Sequence, residues 1–73
     1  MTYQQKIKEL RIENEKNQTD IANILQTTQQ YYGKYELGLR PLPIEHLKTL
    51  CLLYGVSADY ILGLPKDLKY PER

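Results

Sequence analysis

Apolar residues recur along this chain at helical spacing, in short bursts separated by turn formers. Tyr3, Ile7, Leu10 and Asn14 fall at intervals of four, three and four. That is one face of a helix over about residues 3–15, with Thr2 as its N-cap. Asn14 and Asn17 then punctuate. The segment QTDIANIL starts at Asn17 or Gln18 and carries Asp20 in its first turn, where a negative charge meets the positive end of the helix dipole. Its apolar face is Ile21, Ala22 and Leu25, and the small Ala22 lets another helix come close. Thr28 is a good N-cap for a third helix at about residues 29–37. Tyr32 and Tyr35 turn inward together there, their hydroxyls reaching the rim. Gly38 is the expected left-handed stop.

Two prolines at alternate positions make LRPLP a loop. Pro43 suits the first turn of a fourth helix, about residues 43–54. Leu47, Leu50, Cys51 and Tyr54 give this helix the strongest amphipathic pattern of the chain, ended by Gly55. Ser57 caps a short fifth helix in SADYILGL, with Asp59 in its first turn. Gly63 and Pro65 stop it. No strand pattern or internal repeat appears. The expectation is an all-α fold of five short helices over residues 1–64 and a charged tail, PKDLKYPER, over 65–73. None of the helices is long enough to be stable alone, so they share one core.

Composition narrows the chemistry. At 73 residues this is one domain, near the lower limit for folding without a staple. The single cysteine, Cys51, allows no internal disulfide. It reads as a small filler on the apolar face of the fourth helix. One histidine, His46, with no CxxC or HxxH pattern argues against structural zinc. No cofactor is called for. Ten basic and nine acidic residues leave a net charge of +1, spread evenly along the chain. Net charge therefore neither announces nor excludes a nucleic-acid partner. There is no apolar leader and no membrane-length apolar run. No nucleophile–base pair, carboxylate pair or glycine-rich phosphate loop is present, so an enzyme is not expected.

The informative stretch is QTTQQYYGKYE, residues 26–36. Two short helices joined by a turn of about three residues can cross at a large angle with Ala22 at the crossing. With Tyr32 and Tyr35 inward, the third helix presents Thr28, Gln29, Gln30, Gly33 and Lys34 outward. A glutamine amide offers a donor and an acceptor, which matches adenine N6 and N7 in the major groove. Hydroxyl and amide groups at helix starts suit phosphate.

NQTDIANILQTTQQYYGKYELGLRPLP resembles the helix-turn-helix of the phage repressor and Cro family, the XRE-type regulators. LKTLCLLYGVSADYIL resembles that family's fourth and fifth helices. The likeness covers about residues 3–64 and rests on Gln18, Ala22, the TTQQ run, Glu36 with Gly38, and GVSADYIL together. It implies a five-helix lambda-repressor-like DNA-binding domain. By that resemblance Gln29, Gln30 and Lys34 read bases. Asn17, Gln18, Thr28 and Arg40 hold phosphates, and Arg11 and Glu36 form a partly buried ion pair. Three departures stand out. Gln26 occupies a turn position often held by glycine, which strains the turn if a positive φ is needed. Gly33, in the exposed middle of the third helix, either admits close approach to DNA or is simply tolerated. Tyr31, bulkier than usual, either packs on a sugar-phosphate strand or blocks a standard pose. Both remain candidate DNA contacts.

Leu52 and Leu53 lie off the main stripe of the fourth helix, and Leu39, Leu42, Leu62, Leu64 and Leu68 add apolar surface. Either the tail folds over them or they mark a homodimer interface near the fifth helix, which is preferred. The expected function is sequence-specific binding of double-stranded DNA by a transcriptional regulator, a repressor by preference. The free cysteine fits a reducing cytoplasm, a bacterial or phage origin is expected, and the sequence shows no small-molecule ligand domain. The alternative is an antitoxin-like or adaptor module that keeps the fold for protein interaction.

Overall fold

The computed structural model describes residues 1–65 and 68. Those residues form α1 (Tyr3–Glu13), α2 (Gln18–Ile24), α3 (Gln29–Leu37), α4 (Ile44–Tyr54) and α5 (Ala58–Leu62). None of these helices is long and apolar enough to cross a membrane.

Each helix start is locally encoded. Thr2 and Gln5 exchange side-chain-to-backbone hydrogen bonds across the first turn of α1. Asn17 and Asp20 do the same for α2, at 2.8 and 2.9 Å. The Thr28 hydroxyl accepts from the Tyr31 N–H at 3.1 Å, and Ser57 accepts from Tyr60 at the same distance. Pro43 stands at the N-cap position of α4, so that helix begins at Ile44, one residue later than expected. Gly38, Gly55 and Gly63 each take the left-handed conformation that ends α3, α4 and α5.

Helix α1 is shorter than the sequence indicated. It closes at Glu13 because Asn14 folds back, its side-chain amide donating to the Leu10 carbonyl at 2.7 Å. Glu15 then turns left-handed, with φ of 56°. Asn14 is thus an exposed cap and not part of the inward face. Gln26 also adopts a positive φ, 58°, in the turn between α2 and α3. A non-glycine residue pays conformational strain there, offset by hydrogen bonds from Gln26 N–H to Asn23 and Thr27 N–H to Ala22.

The core gathers Ile7 and Leu10 of α1, Ile21, Ala22 and Leu25 around α2, Tyr32 and Tyr35 of α3, Leu50 of α4 and Ile61 of α5. Helix α3 packs on α2 and α1, and α5 packs on α1 and α4. Ala22 is 1 % exposed, as a close crossing requires. Of the α4 stripe only Leu50 is fully buried. Leu47, Cys51, Tyr54 and also Leu53 are partly buried against the core. Leu53 therefore belongs to the packing, whereas Leu52 is exposed. The Tyr3 hydroxyl accepts from the Leu42 N–H at 3.3 Å and ties the α3–α4 loop to α1.

The Tyr32 ring is completely buried and its hydroxyl lies inside, not at the rim. Among the described residues that hydroxyl has no partner in hydrogen-bonding geometry, nor has the buried hydroxyl of Tyr54. Desolvation first, and the nearby Glu36 carboxylate second, push both phenols up, Tyr54 to about 12. The expected 65–73 tail lies, apart from Pro65 and Leu68, outside the described residues.

Candidate functional site

The inward turn of Tyr32 and Tyr35 fixes how α3 is rolled. Their buried rings meet edge to face, with centroids 6.1 Å apart. Gln29, Gln30, Tyr31 and Lys34 are consequently exposed.

Behind that face runs a polar chain. Arg11 Nε donates to Glu36 Oε2 at 2.7 Å, and Arg11 Nη2 donates to Glu36 Oε1 at 3.0 Å. This bidentate pair is largely shielded, with side-chain exposures of 12 % and 2 %. Arg11 Nη1 also donates to the Lys16 carbonyl at 3.1 Å, so α1 is bound to both the α1–α2 turn and α3. Burial opposes the charge on Glu36, but hydrogen bonds from Arg11, with Tyr32 and Gln18 nearby, outweigh it and hold the carboxyl below its ordinary value. The Arg11 guanidinium is raised in turn, by its hydrogen bond to Glu36.

A carboxylate only accepts, and that sets the polarity of everything beyond it. Gln18 Nε2 donates to Glu36 Oε1 at 3.1 Å, so Gln18 Oε1 must face away. That oxygen accepts from Gln29 Nε2. The amide of Gln29 is thereby oriented from α1 through two intermediates. It keeps one N–H and its carbonyl oxygen, the donor and acceptor that adenine requires.

Gly33 makes this path sterically open. It is buried, not exposed as its position mid-helix had indicated. A Cβ built on it would lie 3.2 Å from Gln18 Oε1, because the Gln18 side chain crosses α3 at that point. Gly33 is covered by Gln18 and is no longer a candidate for close DNA approach. Gln18 itself is half-buried, and its oxygen is spent on Gln29, so only its second amide N–H is left for a phosphate. A glycine on the helix face that also carries the exposed Gln30 and Lys34 was the one sequence signal of the Gln18–Gln29 contact.

The phosphate candidates sit around this face. Asn17 and Thr28 are exposed, each using its side-chain oxygen in a cap. Asn17 Nδ2 and the Thr28 hydroxyl proton remain to donate. Arg40 is exposed in the loop after α3. There Gly38 reverses the chain, and the N–H groups of Leu39 and Arg40 both donate to the Lys34 carbonyl, at 2.9 and 3.4 Å. Tyr31, 39 % exposed, stands edge-on to Tyr35 with centroids 5.8 Å apart. Tyr35 in turn contacts the His46 ring at 5.9 Å. No group of three or more His, Cys, Asp or Glu side chains that could hold a metal ion occurs among the described residues.

Comparison with known proteins gives the same outline. The family described as "Helix-turn-helix domain" matches residues 4–66. An uncharacterized HTH-type transcriptional regulator of Bacillus subtilis (strain 168), YobD, is 35 % identical over 65 residues, covering 89 % of this chain and 58 % of that protein. A second B. subtilis protein, the SPbeta prophage-derived uncharacterized HTH-type transcriptional regulator YonR, is 34 % identical over 58 residues, covering 80 % of this chain and 54 % of its own length. The chain thus spans little more than half the length of these relatives.

Proposed function

The chain belongs to the XRE-type helix-turn-helix family, and on that premise we propose that it is a transcriptional regulator, a repressor by preference, that binds double-stranded DNA sequence-specifically. Helix α3 lies in the major groove. Gln29 and Gln30 read base edges from its first turn, and Lys34 faces the bases one turn on. Asn17, Thr28, Arg40 and the free amide N–H of Gln18 hold phosphates. The protein acts as a cytoplasmic homodimer without a cofactor and without catalysis of its own.

One observation carries this reading. An exposed amide at the start of a projecting helix is held in a single orientation by a shielded ion pair. Surface glutamines ordinarily rotate freely, and fixing one costs side-chain entropy. A fixed donor–acceptor pair is what base discrimination needs. The near-neutral net charge does not oppose this reading, since the basic groups Lys34 and Arg40 are exposed on α3 and in the loop that follows it.

Selection from a random duplex pool tests the proposal, and enrichment of a defined motif is expected. Gln29→Ala should then relax one base position at a cost of about 1–3 kcal/mol. Failure to enrich any motif at low salt, together with co-purification of a protein partner, would replace DNA recognition by a protein-interaction role.

A further inference from the structure

Tyr31 is the residue of the exposed face whose chemistry base reading does not use. Its ring is not loose. Tyr35 holds it edge-on from the core side at 5.8 Å, and Tyr35 is itself 2 % exposed. The Arg40 guanidinium lies 5.1 Å from the Tyr31 centroid, within cation–π range. Lys34 Nζ is at 5.9 Å, at the limit of that range. The backbone brings these groups together. Tyr31 and Lys34 are three apart on α3, hence neighbours on one face. The left-handed Gly38 turn then carries Arg40 back to donate to the Lys34 carbonyl. Among the described residues neither cation pairs with a carboxylate, since the one ion pair there is Arg11–Glu36.

We propose that Tyr31 is a positioning residue for phosphate binding: its ring is a fixed shelf that presents the Arg40 guanidinium to the DNA backbone. This rests on the DNA-binding reading above. A loop arginine otherwise gives up much rotamer freedom when it meets a phosphate. A ring anchored to the core takes up part of that loss beforehand. With its charge held over the ring and no carboxylate partner among the described residues, the guanidinium keeps its N–H groups for the phosphate oxygens. Tyr31 thus supports docking without itself reading a base.

The test uses the full chain and two duplexes, one enriched from a random pool and one scrambled, over a range of salt. Tyr31→Leu should weaken binding to both duplexes alike, by about two- to fivefold. Tyr31→Phe, which keeps the ring face, should bind as the parent does. Arg40→Gln should weaken both duplexes and flatten the salt dependence, and adding Tyr31→Leu to it should cost nothing more. Additive losses would overturn the proposal. So would a Tyr31→Phe loss equal to that of Tyr31→Leu, which would assign the hydroxyl a direct contact. A change confined to the enriched duplex would also overturn it. Proton shifts of the Arg40 side chain in the free protein give an independent reading: upfield ring shifts are expected in the parent and in Tyr31→Phe and absent in Tyr31→Leu. Ring shifts absent from the parent would sink the shelf whatever the DNA result. Ring shifts present with no duplex bound at any salt would sink the DNA reading, and the phosphate role with it.

Discussion

The polarity of one carboxylate decides which way a surface amide points, and single residues can break that relay. Gly33 is the most exposed to test. In Gly33→Ala the new Cβ meets Gln18 Oε1 at 3.2 Å, tight enough that the tethered Gln18 side chain must move. Alanine simultaneously gains about 1 kcal/mol of helix propensity. Unfolding free energy should therefore change little in denaturant titration, while discrimination at the base proposed to be read by Gln29 falls. A loss of stability with specificity intact would refute the crossing. Glu36 offers a second test through pH. Its folded pKa lies below its ordinary 4.5, so its contribution to stability is complete above that value and is lost as pH falls through the depressed one. Tyr54 has the opposite sign. Burial raises it from 10.0 to about 12, so its ionisation leaves stability unchanged below pH 10 and lowers it as pH climbs from 10 to about 12. Unfolding midpoints measured across pH should show both flanks, and Glu36→Gln should remove the acid one. The outward set Gln29, Gln30 and Lys34 was legible in the sequence because helix periodicity assigns faces. The burial of Gly33 was not, because the covering atoms come from Gln18, on another helix. Periodicity also misplaced Asn14, which satisfies the Leu10 carbonyl instead of continuing the helix.

At the scale of elements, boundaries followed sequence closely wherever the signal is a side chain bonding its own first turn. Thr2, Asn17, Thr28 and Ser57 each cap as their type prefers, and Gly38, Gly55 and Gly63 stop helices through a conformation open to them at no steric cost. The return halves of the caps at Gln5 and Asp20 are equally local. What sequence could not supply was the arrangement between elements: Leu53 joins the core because α4 meets the bundle over a broader face than its stripe indicates. The cap of α3 has the widest consequence, because Gln29 is the residue directly after it. Thr28→Ala should cost about 1 kcal/mol in urea unfolding. A chain of this size has only about 0.05–0.15 kcal/mol per residue in total, so the loss is appreciable. The first turn of α3 frays in this variant, and the Gln29 amide protons should exchange with solvent faster than in the parent. Unchanged exchange would mean that the Gln18 bond alone holds the turn.

If α3 reads DNA as proposed, the question for the whole molecule is how nine helical residues can address a genome. Helix α3 rises about 1.5 Å per residue, so its readable first turns span only a few base pairs. One copy therefore supplies too little discrimination, and a symmetric pair supplies more at no cost in sequence. Among the exposed apolar side chains, Ile44, Leu52 and Leu64 on α4 and beyond are the ones proposed to carry such pairing. Ile44 and Leu52 border a shallow groove of about 300 Å³ whose floor includes Cys51 and Val56. None of the residues lining that groove lies on α3, so covering it would leave α3 free. A two-fold pair should place its two α3 helices in successive major grooves on one side of the duplex, about 34 Å apart. A duplex carrying two inverted half-sites at that spacing should bind two copies cooperatively. Inserting about five base pairs, half a helical turn, should abolish the cooperativity while each half-site still binds one copy. No cooperativity at either spacing would show that the chain reads DNA singly, and equal cooperativity at both would rule out the fixed two-fold geometry.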